Sequence, residues 1–164
     1  MYSPAVLRAG SIVGVRRQLV GEYTHPTTSV TLSPVLARIH SYVLIGIDAI
    51  LCEVEVDVSG RGMSKTTIVG LPQAAVKESV ERVRRSMINS GFPYPLHTVL
   101  VNLAPADVKK EGPSLDLPMA VGLLRASNSI QTDVHKDFLI AGELALDGRV
   151  RKIKGWPPHY RALG

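Results

Sequence analysis

Five groups of side chains could do chemistry. The first is Ser114 in the loop Ala104–Pro118 (APADVKKEGPSLDLP), where Lys109, Lys110, Glu111 and Asp116 crowd a turn before an apolar helix. A serine at a helix start can be a nucleophile if backbone N–H groups there stabilise an oxyanion and a base such as a desolvated lysine lies within reach. The plainer expectation, and the favoured one, is that Ser114 or Asp116 simply caps the helix. Basic residues form the second and third groups: Arg82, Arg84 and Arg85 on one helix, then Arg149, Arg151, Lys152 and Lys154 at the last strand and its exit. Such groups contact phosphates. A solvated charged face is the stronger reading, because Glu78 and Glu81 neutralise part of the helix and no aromatic residue interleaves either run.

The remaining two groups fail on spacing. SGRGMSKT (59–66) has Gly, Lys and Thr but not the G-x-x-x-x-G-K-[ST] order that wraps phosphate, and it leads into a strand rather than a helix. No G-x-G-x-x-G fingerprint is present. His25, His40, His97, His135 and His159 are scattered, and Cys52 has no Cys partner, so neither a zinc site nor a disulfide framework is expected.

The elements that must position these residues begin near residue 34. The 164 residues make one ordinary domain, with 45% hydrophobic and 20% charged side chains and a formal net charge of +5. No run of 18 apolar residues suggests a membrane span, and Arg8, Arg16 and Arg17 interrupt any secretory apolar region. Residues 1–33 read as a poorly ordered leader or upstream extension, and 34–164 as the domain. Residues 42–47 (YVLIGI) and 66–69 read as strands. In 50–58, Cys52, Val54, Val56 and Val58 alternate with Glu53, Glu55 and Asp57, which predicts a half-buried strand. Pro72 suits the first turn of a helix whose stripe is Val76, Val80, Val83 and Met87, with Glu78–Arg82 and Glu81–Arg85 as i,i+4 pairs and Ser90-Gly91 as its end. Residues 97–103 predict a strand and Met119–Ala126 a buried helix. Two strands, 138–144 and 149–153, are joined by a turn at Asp147-Gly148. Strands and helices mix without strict alternation, which predicts α+β or a mixed-sheet domain.

Several of these segments together resemble a known family. ARIHSYVLIGID (37–48), VEVDVS (54–59), TIVGLPQAAVKESVERVRRSMINSGFPYP (67–95), VNLAPADVKKEGPSLDLPMAVGLL (101–124) and GELALDGRVRKIKG (142–155) are similar, in order, to the N-terminal domain of magnesium-chelatase-like AAA+ ATPases of the ComM/YifB type. The resemblance covers about residues 36–156. It implies an α+β fold of the ribosomal protein S5 domain 2-like kind, shared with the Lon proteolytic domain: a mixed sheet with packed helices, here truncated at its C-terminal part. In that wider group a serine in a G-P-S element pairs with a lysine after a G-E-[hydrophobic]-x-L-x-G-x-V segment. The serine position corresponds to Ser114 and the segment to Gly142–Val150, but the lysine position falls near Pro157. Leu115 and Asp116 replace the small residues that normally follow the serine. Both departures argue for a vestigial site and against peptidase activity.

Complete members of the family carry an AAA+ module with Walker elements, absent from this chain. ATP and Mg are therefore expected only in that module, and no cofactor or metal in this chain. The resemblance implies a non-catalytic fragment of a hexameric, cytoplasmic motor that acts on branched DNA in natural transformation, with DNA contacted through the assembled protein and no membrane. The alternatives are a Ser-Lys peptidase using Ser114, a protein-interaction module without DNA contact, and a nonfunctional truncation.

Overall fold

A computed structural model describes residues 36–59 and 63–153. Two long strands open it, β1 (Ala37–Ile45) and β2 (Asp48–Ser59), antiparallel from Ile45↔Asp48 to Ala37↔Val56. Their turn uses Gly46 at φ +63. β1 therefore begins five residues before the expected 42–47 and ends two residues sooner, because Gly46-Ile47 is the hairpin turn and not strand. β2 keeps its predicted alternation: Cys52, Val54, Val56 and Val58 are buried, while the acids point to the other face.

β3 (Lys65–Val69) runs parallel to β4 (Thr98–Ala104), with helix α1 (Ala74–Asn89) between them in sequence. The sheet order is β1-β2-β4-β3, with β2 and β4 antiparallel. A single parallel pair in an antiparallel sheet makes the sheet mixed, so the domain is α+β as expected. A 3-10 turn (Pro113–Leu115) leads directly into α2 (Asp116–Ala126). A second 3-10 turn (Val134–Asp137) precedes a short hairpin of β5 (Glu143–Leu144) and β6 (Val150–Arg151).

Both helices cover one face of the sheet. Ile39, Val54, Val56, Val99, Val101 and Leu103 meet Val76, Val83, Met119 and Leu123 there in one core. α2 lies close enough to β2 that a Cβ on Gly122 would stand 2.6 Å from Val56 Cγ2. The other face is mixed: Leu51 and Leu100 stand exposed there beside polar pairs, in which Arg38 Nε bonds Glu55 Oε1 at 3.2 Å and Asn102 Nδ2 bonds Glu55 Oε2 at 2.7 Å.

Further expectations change, and α2 starts three residues before the expected Met119. α1 starts at Ala74, after Gln73, so Pro72 precedes the helix and instead forms a parallel bridge to Lys110. Its buried stripe is Val76, Ser79, Val83, Ser86 and Met87, with Val80 only half-buried. The strands expected at 138–144 and 149–153 shrink to two residues each. Ile140 gives its N–H to His40 O on the edge of β1 at 2.8 Å and so leaves the hairpin ladder. The end of α1 stands as read, with Ser90 as C-cap and Gly91 at φ +84. The segment 1–33 lies outside the described residues.

Candidate functional site

The Gly112-Pro113-Ser114 turn and the Gly142-Glu143-Leu144 segment are stitched together. Gly142 N–H donates to Ser114 O at 2.9 Å, and Leu117 N–H donates to Gly142 O at 3.0 Å. Leu144 N–H donates to Asp116 Oδ2 at 3.2 Å. Two segments about 30 residues apart in sequence thus share one local framework at the start of α2.

Asp116 is the centre of that framework. Its side chain is 0% exposed, and Arg82 reaches it from α1 with Nε to Oδ2 at 2.9 Å and Nη2 to Oδ1 at 3.2 Å. A planar guanidinium matched to both oxygens of a buried carboxylate is the strong form of an ion pair. The Arg82 fork is held in turn by Ser79, whose Oγ accepts from Nη2 at 2.7 Å. Asp116 raises the Arg82 pKa, chiefly through these hydrogen bonds, with the charges of Glu143 and Glu78 adding to it. The carboxylate also lies in the first turn of α2, where the helix dipole favours negative charge. Asp116 does not cap α2 and neither does Ser114: the residue at the cap position is Leu115, and no side chain closes it. Nor does Glu78 bond Arg82, since Asp116 takes the guanidinium instead. The sequence held a signal for this site in Asp116 itself, a lone carboxylate within an apolar segment.

Ser114 is half-buried, and among the described residues its hydroxyl has no hydrogen bond to a base. Lys110, four residues earlier, is fully buried and turns away: its Nζ donates to Pro105 O. Its main chain ties the loop to the start of α1, with Gln73 N–H donating to Lys110 O at 3.1 Å and Lys110 N–H to Leu71 O at 3.3 Å. Burial lowers the Lys110 pKa, opposed by charge from Cys52 and Asp107. Cys52 lies buried nearby on β2, and burial pushes its thiol up to about 11 against the pull of Ser41 and Lys110. Lys109, adjacent and identical in type, is exposed, so the sequence offered no means of telling the two lysines apart.

The seven basic candidates separate by partner. Arg82 belongs to Asp116. Arg85 pairs with Glu81 at 2.8 Å, as its spacing predicts. Arg149 pairs with Asp147 at 2.7 Å and Arg151 with Glu143 at 2.9 Å. Arg84 lies over the Tyr94 ring, 5.6 Å from its centroid. Arg84 and Lys152 have no carboxylate partner among the described residues. Lys154 and Pro157 lie outside them.

Among the described residues, the one strand-to-helix turn that joins parallel strands, Gly70-Leu71-Pro72-Gln73, carries no lysine, and its backbone is already closed on Lys110. Gly70 there packs so tightly that a Cβ would clash with Leu103 O. Among the described residues no cluster of His, Cys, Asp and Glu is placed to hold a metal ion, and no helix is long and apolar enough to cross a membrane.

A family model for subunit ChlI of Mg-chelatase matches residues 54–163, through both stitched segments. The chain belongs to this family. Among curated relatives of this ChlI-family chain, competence protein ComM of Haemophilus influenzae is 43% identical over 123 residues, covering 75% of this chain and 24% of the relative. The uncharacterized protein YifB of Escherichia coli is 42% identical over 120 residues, covering 73% and 24% respectively. The ChlI-family chain thus spans about a quarter of the length of the curated relatives it matches.

Proposed function

We propose that this ChlI-family chain is a non-catalytic, Lon-like domain of the ribosomal protein S5 domain 2-like kind, serving a ComM-type AAA+ protein. Its task is assembly of that protein and engagement of DNA. ATP and Mg belong to an ATPase module outside this chain, and the working form is a cytoplasmic homo-hexamer. The relative named for competence, matched at 43% identity, is what carries the DNA side of this reading. The non-catalytic side is supported by Ser114, whose nearest candidate base in sequence, Lys110, is committed to Pro105 O. Asp116, in place of a small residue after the serine, is committed to Arg82 and Leu144.

The candidate DNA contacts remain Arg82, Arg84, Arg85, Arg149, Arg151, Lys152 and Lys154. Arg84 and Lys152 are the first to test, because neither has a carboxylate to give up. The experiment is a salt titration of the chain against a labelled four-way DNA junction. Binding should fall steeply with salt, and each of Arg84→Ala and Lys152→Ala should lower the slope of log K against log salt by about 1. A flat salt dependence, or binding unchanged in both variants, removes DNA contact from the reading. A peptidase assay with Ser114→Ala decides the enzymatic alternative: turnover that depends on Ser114 would overturn the non-catalytic assignment.

A further inference from the structure

The outer edge of β3 is unlike the edge of β1. β1 receives Ile140 N–H on His40 O, whereas among the described residues no backbone group bonds the outer side of β3. Alternate residues of Lys65–Val69 therefore present N–H and C=O groups outward in strand spacing. The edge is also not flat. A groove of about 340 Å³ runs beside it, lined by Lys65, Thr66, Thr67, Ile68, Lys77 and Val80. Thr66 and Ile68 stand in register with Val99 and Val101, which are buried, so their side chains lie on the helix-covered face. Lys65 and Thr67 stand in register with Thr98 and Leu100, on the opposite, solvent-facing side.

A strand laid along this edge would meet different chemistry on its two faces. One row of its side chains would face Ile68, Val80 and Lys77, and the other would face Lys65. Both lysines are exposed, and neither has a carboxylate partner among the described residues. We propose that the β3 edge takes up an extended acidic peptide segment of a partner protein as a fifth strand, with its carboxylates held by Lys65 and Lys77. Strand addition supplies main-chain hydrogen bonds for affinity and alternate side-chain sites for specificity. A nucleic-acid strand would suit the two lysines but leave the row of edge N–H and C=O groups without matching partners, so the peptide is the better fit. The inference uses none of the candidate DNA contacts.

The test is fluorescence anisotropy with a labelled nonapeptide built on a Glu-Glu-Val-Val repeat, which places carboxylates on both faces of a strand, combined with amide exchange across residues 65–69. Binding should be salt-sensitive and should slow exchange of the outward amides of β3. The charge reversal Lys65→Glu/Lys77→Glu, both on exposed side chains, should weaken binding at least tenfold while the far-UV circular dichroism stays unchanged. The same peptide N-methylated at every second residue should not bind. Equal binding of the N-methylated peptide, or of the charge-reversed protein, overturns the proposal. So does absence of exchange protection at residues 65–69 with peptide in millimolar excess. Binding of a nine-base oligothymidine at this edge in preference to the peptide replaces it with a nucleic-acid site.

Discussion

Arg82 grips both carboxylate oxygens of Asp116, and through that one fork α1, the start of α2 and the backbone of β5 are held at a single point. Asp116 is enclosed while Arg82 keeps 28% of its side chain exposed. The two partners therefore lose unequally when the other is removed. An orphaned Arg82 still reaches water, but an orphaned Asp116 does not.

Arg82→Met should cost about 3–5 kcal/mol, the range for leaving a buried charge unpaired. Asp116→Leu should cost less at the arginine, although it also strips Leu144 N–H of its acceptor. The double variant should recover a large part of the loss, because two apolar side chains need no partner. Urea denaturation of the four proteins gives the cycle. Additive single losses would show that the fork contributes no coupling.

Gly70→Ala should destabilise the fold by about 3 kcal/mol or more, because backbone strain at φ +93 adds to a clash with Leu103 O. Gly91→Ala is the control. Gly91 has φ +84 but nothing within 4 Å of an added Cβ, so its cost should stay near the 1–2 kcal/mol of the left-handed conformation alone. Chemical denaturation of the two variants separates contact from conformation, and equal losses would show that the close approach does not matter.

Lys110 and Cys52 should give opposite alkaline slopes of stability. Lys110 has a pKa below its ordinary 10.5 in the folded state, so between that lowered value and 10.5 the unfolded chain binds the extra proton and stability rises with pH. Cys52 is at about 11 folded against 9.0 in its ordinary state, so between these values the folded chain holds the extra proton and stability falls with pH. Lys110→Met should make the slope above pH 9 more negative, and Cys52→Ala should make it more positive. Stability measured from pH 8 to 10.5 checks both signs. An unchanged slope in either variant would show that its group does not titrate across folding.

The Cys52 thiol should be slow to react. At pH 8 a pKa of about 11 leaves roughly a hundredfold less thiolate than a pKa of 9.0, before burial is counted. A colorimetric disulfide reagent should label the native chain at least ~100-fold more slowly than the urea-unfolded chain. Comparable rates would mean that β1 and β2 open readily around residue 52.

Much of this architecture is legible along the chain where one local period decides. The alternation from Cys52 to Val58 places β2 because a strand repeats every two residues, and Ser90-Gly91 ends α1 because the backbone there turns left-handed. The α+β class follows from the order of such segments. The site is less legible because its contacts are long-range. Glu78 is one helical turn from Arg82, and Asp116 is 34 residues away, yet Asp116 wins the guanidinium because a desolvated carboxylate needs it more. Lys109 and Lys110 differ only in which way the loop faces. The two-residue strands β5 and β6 go with Ile140 bonding β1 rather than the hairpin, which no alternation in residues 138–144 could reveal.

The sheet order carries a kinetic consequence. β1 and β2 meet across a turn of two residues, so that hairpin closes over a very short span. β4 must then find β2 with Ser59 opposite Thr98 and Glu53 opposite Ala104, partners about 40–50 residues apart, which is a far larger entropic step. Until β4 arrives, the second edge of β2 stands open to pairing with any other chain. In a crowded ribosomal exit zone, that edge is open to mispairing throughout the interval between making Ser59 and making Ala104.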